Sequence, residues 1–183
     1  MMKKTFLLIV CLMSIASTAR AQGFVSPFLG FNFGGDSANC VAISNCQDRR
    51  LNFGLSFGKR NGVMGLEEDI AYAPDFFGKT GEGNGVLTAM TDILVVIPAG
   101  PIQPYGLIGI GLVRPHATFN SFGFSQNAVG YDIGGGLSIF LTKGFGVRGD
   151  VRRVKTLQDI TLGLFSSQKL DFWRASAGLT FAF

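Results

Sequence analysis

Past residue 21 the chain lacks any run of about eighteen consecutive apolar residues, so no mature segment can cross a bilayer as a helix. It has a single histidine, His116, which leaves little material for acid–base or metal chemistry. It also lacks a linker rich in proline or charge, a second compositional block and a solenoid-type repeat, so 22–183 reads as one domain. Charge of one sign is missing too. Setting aside Lys3, Lys4 and Arg20 leaves thirteen of the 16 basic residues against 12 acidic ones. The basic character of the whole chain therefore belongs to its first residues and argues for no nucleic-acid partner.

Those first residues carry their own pattern. Lys3 and Lys4 precede an apolar stretch from Phe6 to Ile15, and Ala19-Arg20-Ala21 is a small-x-small cleavage site. Residues 1–21 are expected to be a cleaved export signal, with the mature chain starting at Gln22. Export to an oxidising compartment bears on Cys40 and Cys46, which stand close together in a polar stretch and are expected to pair with each other. Closing that short loop is worth about 2.4 kcal/mol in the chain-entropy picture. A zinc site is disfavoured, because no histidine lies near the two thiols.

What is abundant is phenylalanine, 18 residues, and glycine, 26 residues, both far above ordinary usage. The spacing has period two. In 51–58 Leu51, Phe53, Leu55 and Phe57 alternate with Asn52, Gly54, Ser56 and Gly58, a pattern that a helix would scatter around its circumference. The terminal stretch behaves likewise: Trp173, Ala175, Ala177, Leu179, Phe181 and Phe183 share one face and Phe172, Arg174, Ser176, Gly178, Thr180 and Ala182 the other.

The alternation recurs over 24–34, 50–58, 63–73, 85–97, 104–114, 128–141, 145–155 and 170–183. The connections at 59–62, 98–103 and 142–144 are short, whereas 35–49, 74–84, 115–127 and 156–169 are long, and Asn61-Gly62 is a hairpin signal. An even strand number with short turns at one end and long polar loops at the other predicts an all-β fold, an eight-stranded antiparallel transmembrane up-and-down barrel. A sixteen-stranded porin does not fit into the length.

A soluble eight-stranded barrel would keep its lumen apolar. Here Val129, Tyr131, Ile133, Leu137, Ile139 and Leu141 fall on one face, opposite Asp132 and Ser138. Arg148, Asp150 and Arg152 share the inward side of 145–155, and Glu67 and Asp69 that of 63–73. With Asp92 and Arg174 these residues are expected to interlock as a polar network in the lumen, since eight strands enclose only enough room for side chains. A narrow path for small or apolar solutes is the second reading of the same residues. Three residues resist the pattern. Glu68 and Arg153 fall on the lipid side, where Arg153 is expected near the outer rim, and Pro27 calls for a bulge or a later strand start.

Four stretches, GLEEDIAYAPDFFG (65–78), QPYGLIGIGLVR (103–114), GYDIGGGLSIFLTKGFGVRGDVRRVK (130–155) and the closing ASAGLTFAF, resemble the small outer-membrane β-barrel proteins of the OmpA/OmpX type, the single-domain "outer membrane protein β-barrel domain" group. The third is the most specific, because a triple-glycine strand, a tight turn and an Arg-x-Asp-x-Arg strand follow in order. The resemblance implies a bacterial outer-membrane location and contact with outer-membrane lipids; no cofactor or metal is expected. Ser176, Gly178, Phe181 and Phe183 match the assembly signal of such barrels, which implies the barrel-insertion machinery as a partner during biogenesis. A monomer with a structural or surface-interaction role is expected, carried by the long loops.

An enzymatic reading would need His116 with Thr118 as nucleophile and Asp132 as orienting acid, in the manner of barrels that act on lipid A esters. His-x-Thr is a weak signal, and a histidine of the loop or interface is the expectation. Gly134-Gly135-Gly136 is no phosphate cradle, because no helix follows it; it is expected to relieve crowding. Tyr72, Tyr105, Tyr131 and Trp173 suit an interfacial aromatic girdle. Phe76, Phe77 and the phenylalanines of 119–124 read as girdle or loop-surface residues.

Overall fold

The computed structural model describes residues 22–35, 50–77, 83–119, 122–160 and 169–183. The leader, Cys40 and Cys46 lie outside them, so neither the cleavage site nor the cysteine pairing is addressed by the fold. The described elements are β1 (Gln22–Phe33), β2 (Arg50–Asn61), β3 (Met64–Pro74), β4 (Asn84–Val96), β5 (Ile102–Phe119), β6 (Phe122–Ser125), β7 (Ala128–Phe140), β8 (Phe145–Thr156) and β9 (Asp171–Ala182). All pairings between strands are antiparallel. Strands neighbour in the order β4-β3-β2-β1-β9-β8-β7-β5, and β4 pairs with β5 to close the ring. The wall is thus an eight-stranded barrel, and β6 is a short strand that extends the β5 hairpin above it.

The pairing also sets the tilt. From Asn61 on β2 the row of paired residues runs through Met64, Val95, Gly106, Gly135, Val151, Ala175 and Phe31 back to β2 at Leu51, ten residues from where it began. A stagger of that size goes with strands inclined by roughly 35–45° to the axis. Turns at 62–63, 97–101 and 141–144 lie at one end, with Gln22 and Phe183, and the longer connections lie at the other.

Three strand details differ from the sequence reading. The first hairpin turns on Gly62 and Val63, because Asn61 is already paired with Met64, and Gly62 takes the positive φ of 61° that only glycine adopts cheaply at the first central position. Arg60 therefore belongs to β2 and points inward. No bulge occurs at Pro27: β1 runs through it, and the register with β9 is the same at Phe24–Val25 and at Phe28, with only Ser26 and Pro27 left out of the pairing. Proline has no N–H to give, so the interruption falls where it faces β9. β5 continues through Pro115 to Phe119 and β6 folds back on it, where a loop was expected over 115–127.

The faces follow the alternation. Phe53, Ile133 and Leu179 are 46%, 51% and 44% exposed on the outer wall, whereas Asp69 and Arg148 are 0% and 5% exposed inside. That is the inversion a lipid environment requires.

Candidate functional site

The lumen is built in three layers. At the short-turn end Phe24, Leu94, Val96, Tyr105 and Leu107 form a buried apolar cluster. Above it lies an ionic belt of five carboxylates, Glu67, Asp69, Asp92, Asp132 and Asp150, with Arg148, Arg152 and Arg174, all buried. At the loop end a second apolar cluster gathers Phe76, Val86, Met90, Val113, Val154, Phe172 and neighbours.

Arg152 on β8 is the hub of the belt. Its Nη1 lies 2.9 Å from Asp92 Oδ2, 3.3 Å from Asp132 Oδ2 and 3.5 Å from Asp69 Oδ2, while Nη2 lies 3.3 Å from Glu67 and Nε 3.1 Å from Asp150. One guanidinium thus touches carboxylates from β3, β4, β7 and its own strand. Arg148 reaches across the lumen to both oxygens of Glu67 and donates to Tyr105 Oη, which in turn donates to Asp150 Oδ2 at 2.9 Å. Arg174 pairs with Asp69, whose other oxygen accepts from Ser56 Oγ at 2.9 Å. Below the belt, Arg60 lies 4.5 Å over the Phe24 ring, and Arg148 lies 4.6 Å over Tyr105. Asn32 accepts from Asn52 at 3.0 Å, and Ser26 meets Thr180 at 2.8 Å across the seam from which Pro27 is missing as a donor.

Glycines make room for these long side chains. A Cβ on Gly134 would come within 2.6 Å of the Arg152 Cβ, and one on Gly136 within 2.6 Å of the Asp150 Cβ. The triple glycine relieves crowding at its two inward positions. At Gly109 the oxygens of Asp92 and Asp132 occupy the space a side chain would need. Desolvated charges of this kind are tolerable only when paired and hydrogen-bonded, and the belt supplies nearly every partner from within.

The structure brings together all eight residues expected to form the lumen network, Glu67, Asp69, Asp92, Asp132, Arg148, Asp150, Arg152 and Arg174. It adds Tyr105, expected at the girdle but 5% exposed inside the lower lumen; its parity with Leu107 and Gly109 along β5 was the available signal. Arg60 was likewise missed, although its spacing from Asn52 and Ser56 marks the same face. Phe76, expected at a girdle or loop surface, is fully buried in the upper cluster, edge-on to Phe172 at 4.8 Å.

The two outward charges have partners. Arg153 donates from Nε and Nη2 to the two oxygens of Asp171 at 2.9 and 2.7 Å, toward the loop end, where Lys155 also reaches that carboxylate and Trp173 lies 5.8 Å from the guanidinium. Glu68 accepts from Thr91 Oγ1 at 2.9 Å on the wall itself. His116 is on the outside of β5, stacked on Tyr72 at 5.9 Å between ring centres, whereas Asp132 is enclosed in the belt. His116 and Asp132 are thus on opposite sides of the wall, and the His116, Thr118 and Asp132 constellation is not assembled. Of the terminal residues, Ser176 and Gly178 face inward, Ser176 donating to Asp150 at 3.1 Å, and Phe181 and Phe183 are exposed.

A greasy exterior around an ionic lumen is one half of the assignment, and the sequence supplies the other: residues 6–183 match the family described as outer membrane protein beta-barrel domain. The chain belongs to that family. Family membership accords with a bacterial outer-membrane location for the barrel. No curated protein matches it. Among solved structures, this outer membrane β-barrel is similar to Neisserial surface protein A, with a TM-score of 0.67 at 13% identity over 88% of this chain and 97% of that one. It is also similar to the N-terminal β-barrel domain of Pseudomonas aeruginosa OprF, with a TM-score of 0.57 at 16% identity over 88% and 97%. Ail, the attachment invasion locus protein of Yersinia pestis, gives 0.55 at 14% identity over 88% and 99%. At such identities the likeness is one of fold.

Proposed function

We propose that the protein is a monomeric structural and surface-interaction barrel of the outer membrane rather than a channel, exported with loss of residues 1–21 and inserted by the barrel-assembly machinery through its terminal strand. The observation that carries this reading is the filled lumen. The buried ionic belt and the two apolar clusters occupy it, and the cavity beside Asn32, Asn52, Thr88, Phe172 and Arg174 holds about 10 Å³, at most the room for one water. Two apolar layers cap the belt, and ions entering it would have to displace guanidinium–carboxylate pairs. Specificity then falls to the long connections, 34–49, 75–83, 120–127 and 157–170. One fold neighbour is named for attachment; what it shares with this chain is the wall, so any binding partner is set by loop sequence.

Planar-bilayer recording of the purified protein tests this. The expected trace is flat. Stable unitary steps that change on Arg148→Gln or Arg152→Gln would replace the structural reading with the narrow-channel one.

A further inference from the structure

The outer wall carries a recess that none of the described residues fills. A groove of about 810 Å³ crosses β1, β9, β8 and β7 in their short-turn half, walled by Leu29, Leu137 and Leu179 and floored by Pro27, Gly149 and Ala177. Gly149 explains its depth and raises a question. A Cβ built there would come no closer than 3.6 Å to any atom, the Ser176 carbonyl oxygen, and its backbone is not in the positive-φ region. Neither packing nor conformation requires glycine at this position, in contrast to the inward glycines, although glycine weakens a strand. The space is therefore left open toward the bilayer side.

Charge says what fits below it. The groove opens toward the turn 141–144 that joins β7 to β8, which carries Lys143. Among the described residues, the exposed charged side chains at this end are Lys59 and Lys143, and no Asp or Glu lies in its turns. We propose that the groove holds one acyl chain of an anionic phospholipid from the leaflet at the short-turn end, its phosphate paired with Lys143. The volume lies within the roughly 300–1,000 Å³ of sites that hold a single small ligand, and apart from Arg148, whose side chain is buried in the lumen, the lining is hydrocarbon, as an acyl chain needs. Phe145 and Phe181, 5.5 Å apart on the outside of β8 and β9, stand at the strand ends beside it, at the level where chain gives way to headgroup.

The test is native mass spectrometry of the protein in non-ionic detergent, titrated with phosphatidylglycerol and with phosphatidylcholine. The native protein is expected to retain one phosphatidylglycerol in preference to phosphatidylcholine. Lys143→Gln, in an exposed turn that bears on no packing, is expected to erase that preference. Gly149→Leu combined with Ala177→Leu is expected to lower retention of both lipids at least about tenfold, with heat-modifiable migration showing the barrel intact. Equal retention of the two lipids by the native protein overturns the proposal without needing the double variant to fold. So does a folded double variant that holds lipid at the native level. A native dimer that the double variant splits would assign the groove to a second copy of the chain, and would also overturn it.

Discussion

The ionic belt and the loop-end cluster are lined by the same inward positions of the same strands, yet one is held by charge and the other by hydrocarbon. Arg152 and Val154 are two residues apart on β8; the first touches five carboxylates and the second none. Arg174 and Phe172 divide in the same way on β9. The difference teaches that a polar lumen is a property of depth. In the middle of the wall every inward side chain faces seven other strands and no solvent, so a charge there must find its complement across the lumen. At the loop end Phe76, Ile160 and Leu170, which lie beyond the strand ends, pack onto the inward hydrocarbon and close it as a soluble core would be closed.

The largest effect is expected where the belt loses its hub. Arg152→Met leaves Asp92 and Asp132 without their shared cation and should cost about 3–5 kcal/mol, read as a lower urea midpoint for the protein refolded into lipid vesicles. Phe76→Ala removes the ring that seals the upper cluster. Its expected cost is about 3 kcal/mol, near the low end for a buried phenylalanine because the ring lies at the edge of the barrel, where neighbours can settle into the space. If the two losses come out reversed, hydrocarbon and not charge dominates the lumen. Within the belt, the asymmetry of five acids against three arginines makes one carboxylate cheap to lose. Asp132→Asn should shift stability by less than about 1 kcal/mol, and a loss as large as that of Arg152→Met would mean that the belt needs every acid. The smallest effect belongs to the outer rim. Asp171→Asn breaks an exposed pair with Arg153 and should cost about 0.2–1 kcal/mol, shrinking further in high salt, whereas the belt variants should keep their penalties there.

Much of this was legible before any coordinates. Period-two alternation assigned Leu51, Phe53 and Ile133 to the outside and Glu67, Asp69 and Arg148 to the inside, because in a strand parity alone decides the face. Partners were not legible. That Arg148 meets Glu67, from β8 to β3 across the lumen, follows from a ten-residue stagger that no single strand encodes. Tyr105 was misplaced because an aromatic residue next to a turn looks like girdle, although its parity pointed inward. Phe76 carried no parity at all, since loops have no period, and only the packing of neighbouring strands reveals that it turns in. The bulge or later start expected at Pro27 and the loop expected at Pro115 are both regular strand, because each proline sits where the wall tolerates a missing donor.

The gap at Pro27 has a mechanical consequence. Each of the other seven junctions of the wall is an unbroken antiparallel ladder, whereas the junction between the first and last strands skips two rungs and is spanned there by a hydroxyl pair, Ser26 with Thr180. When the cylinder breathes, separation should begin along this line, and the amide proton of Leu179, which points at the gap, should trade with deuterium ahead of its counterparts on the remaining joints.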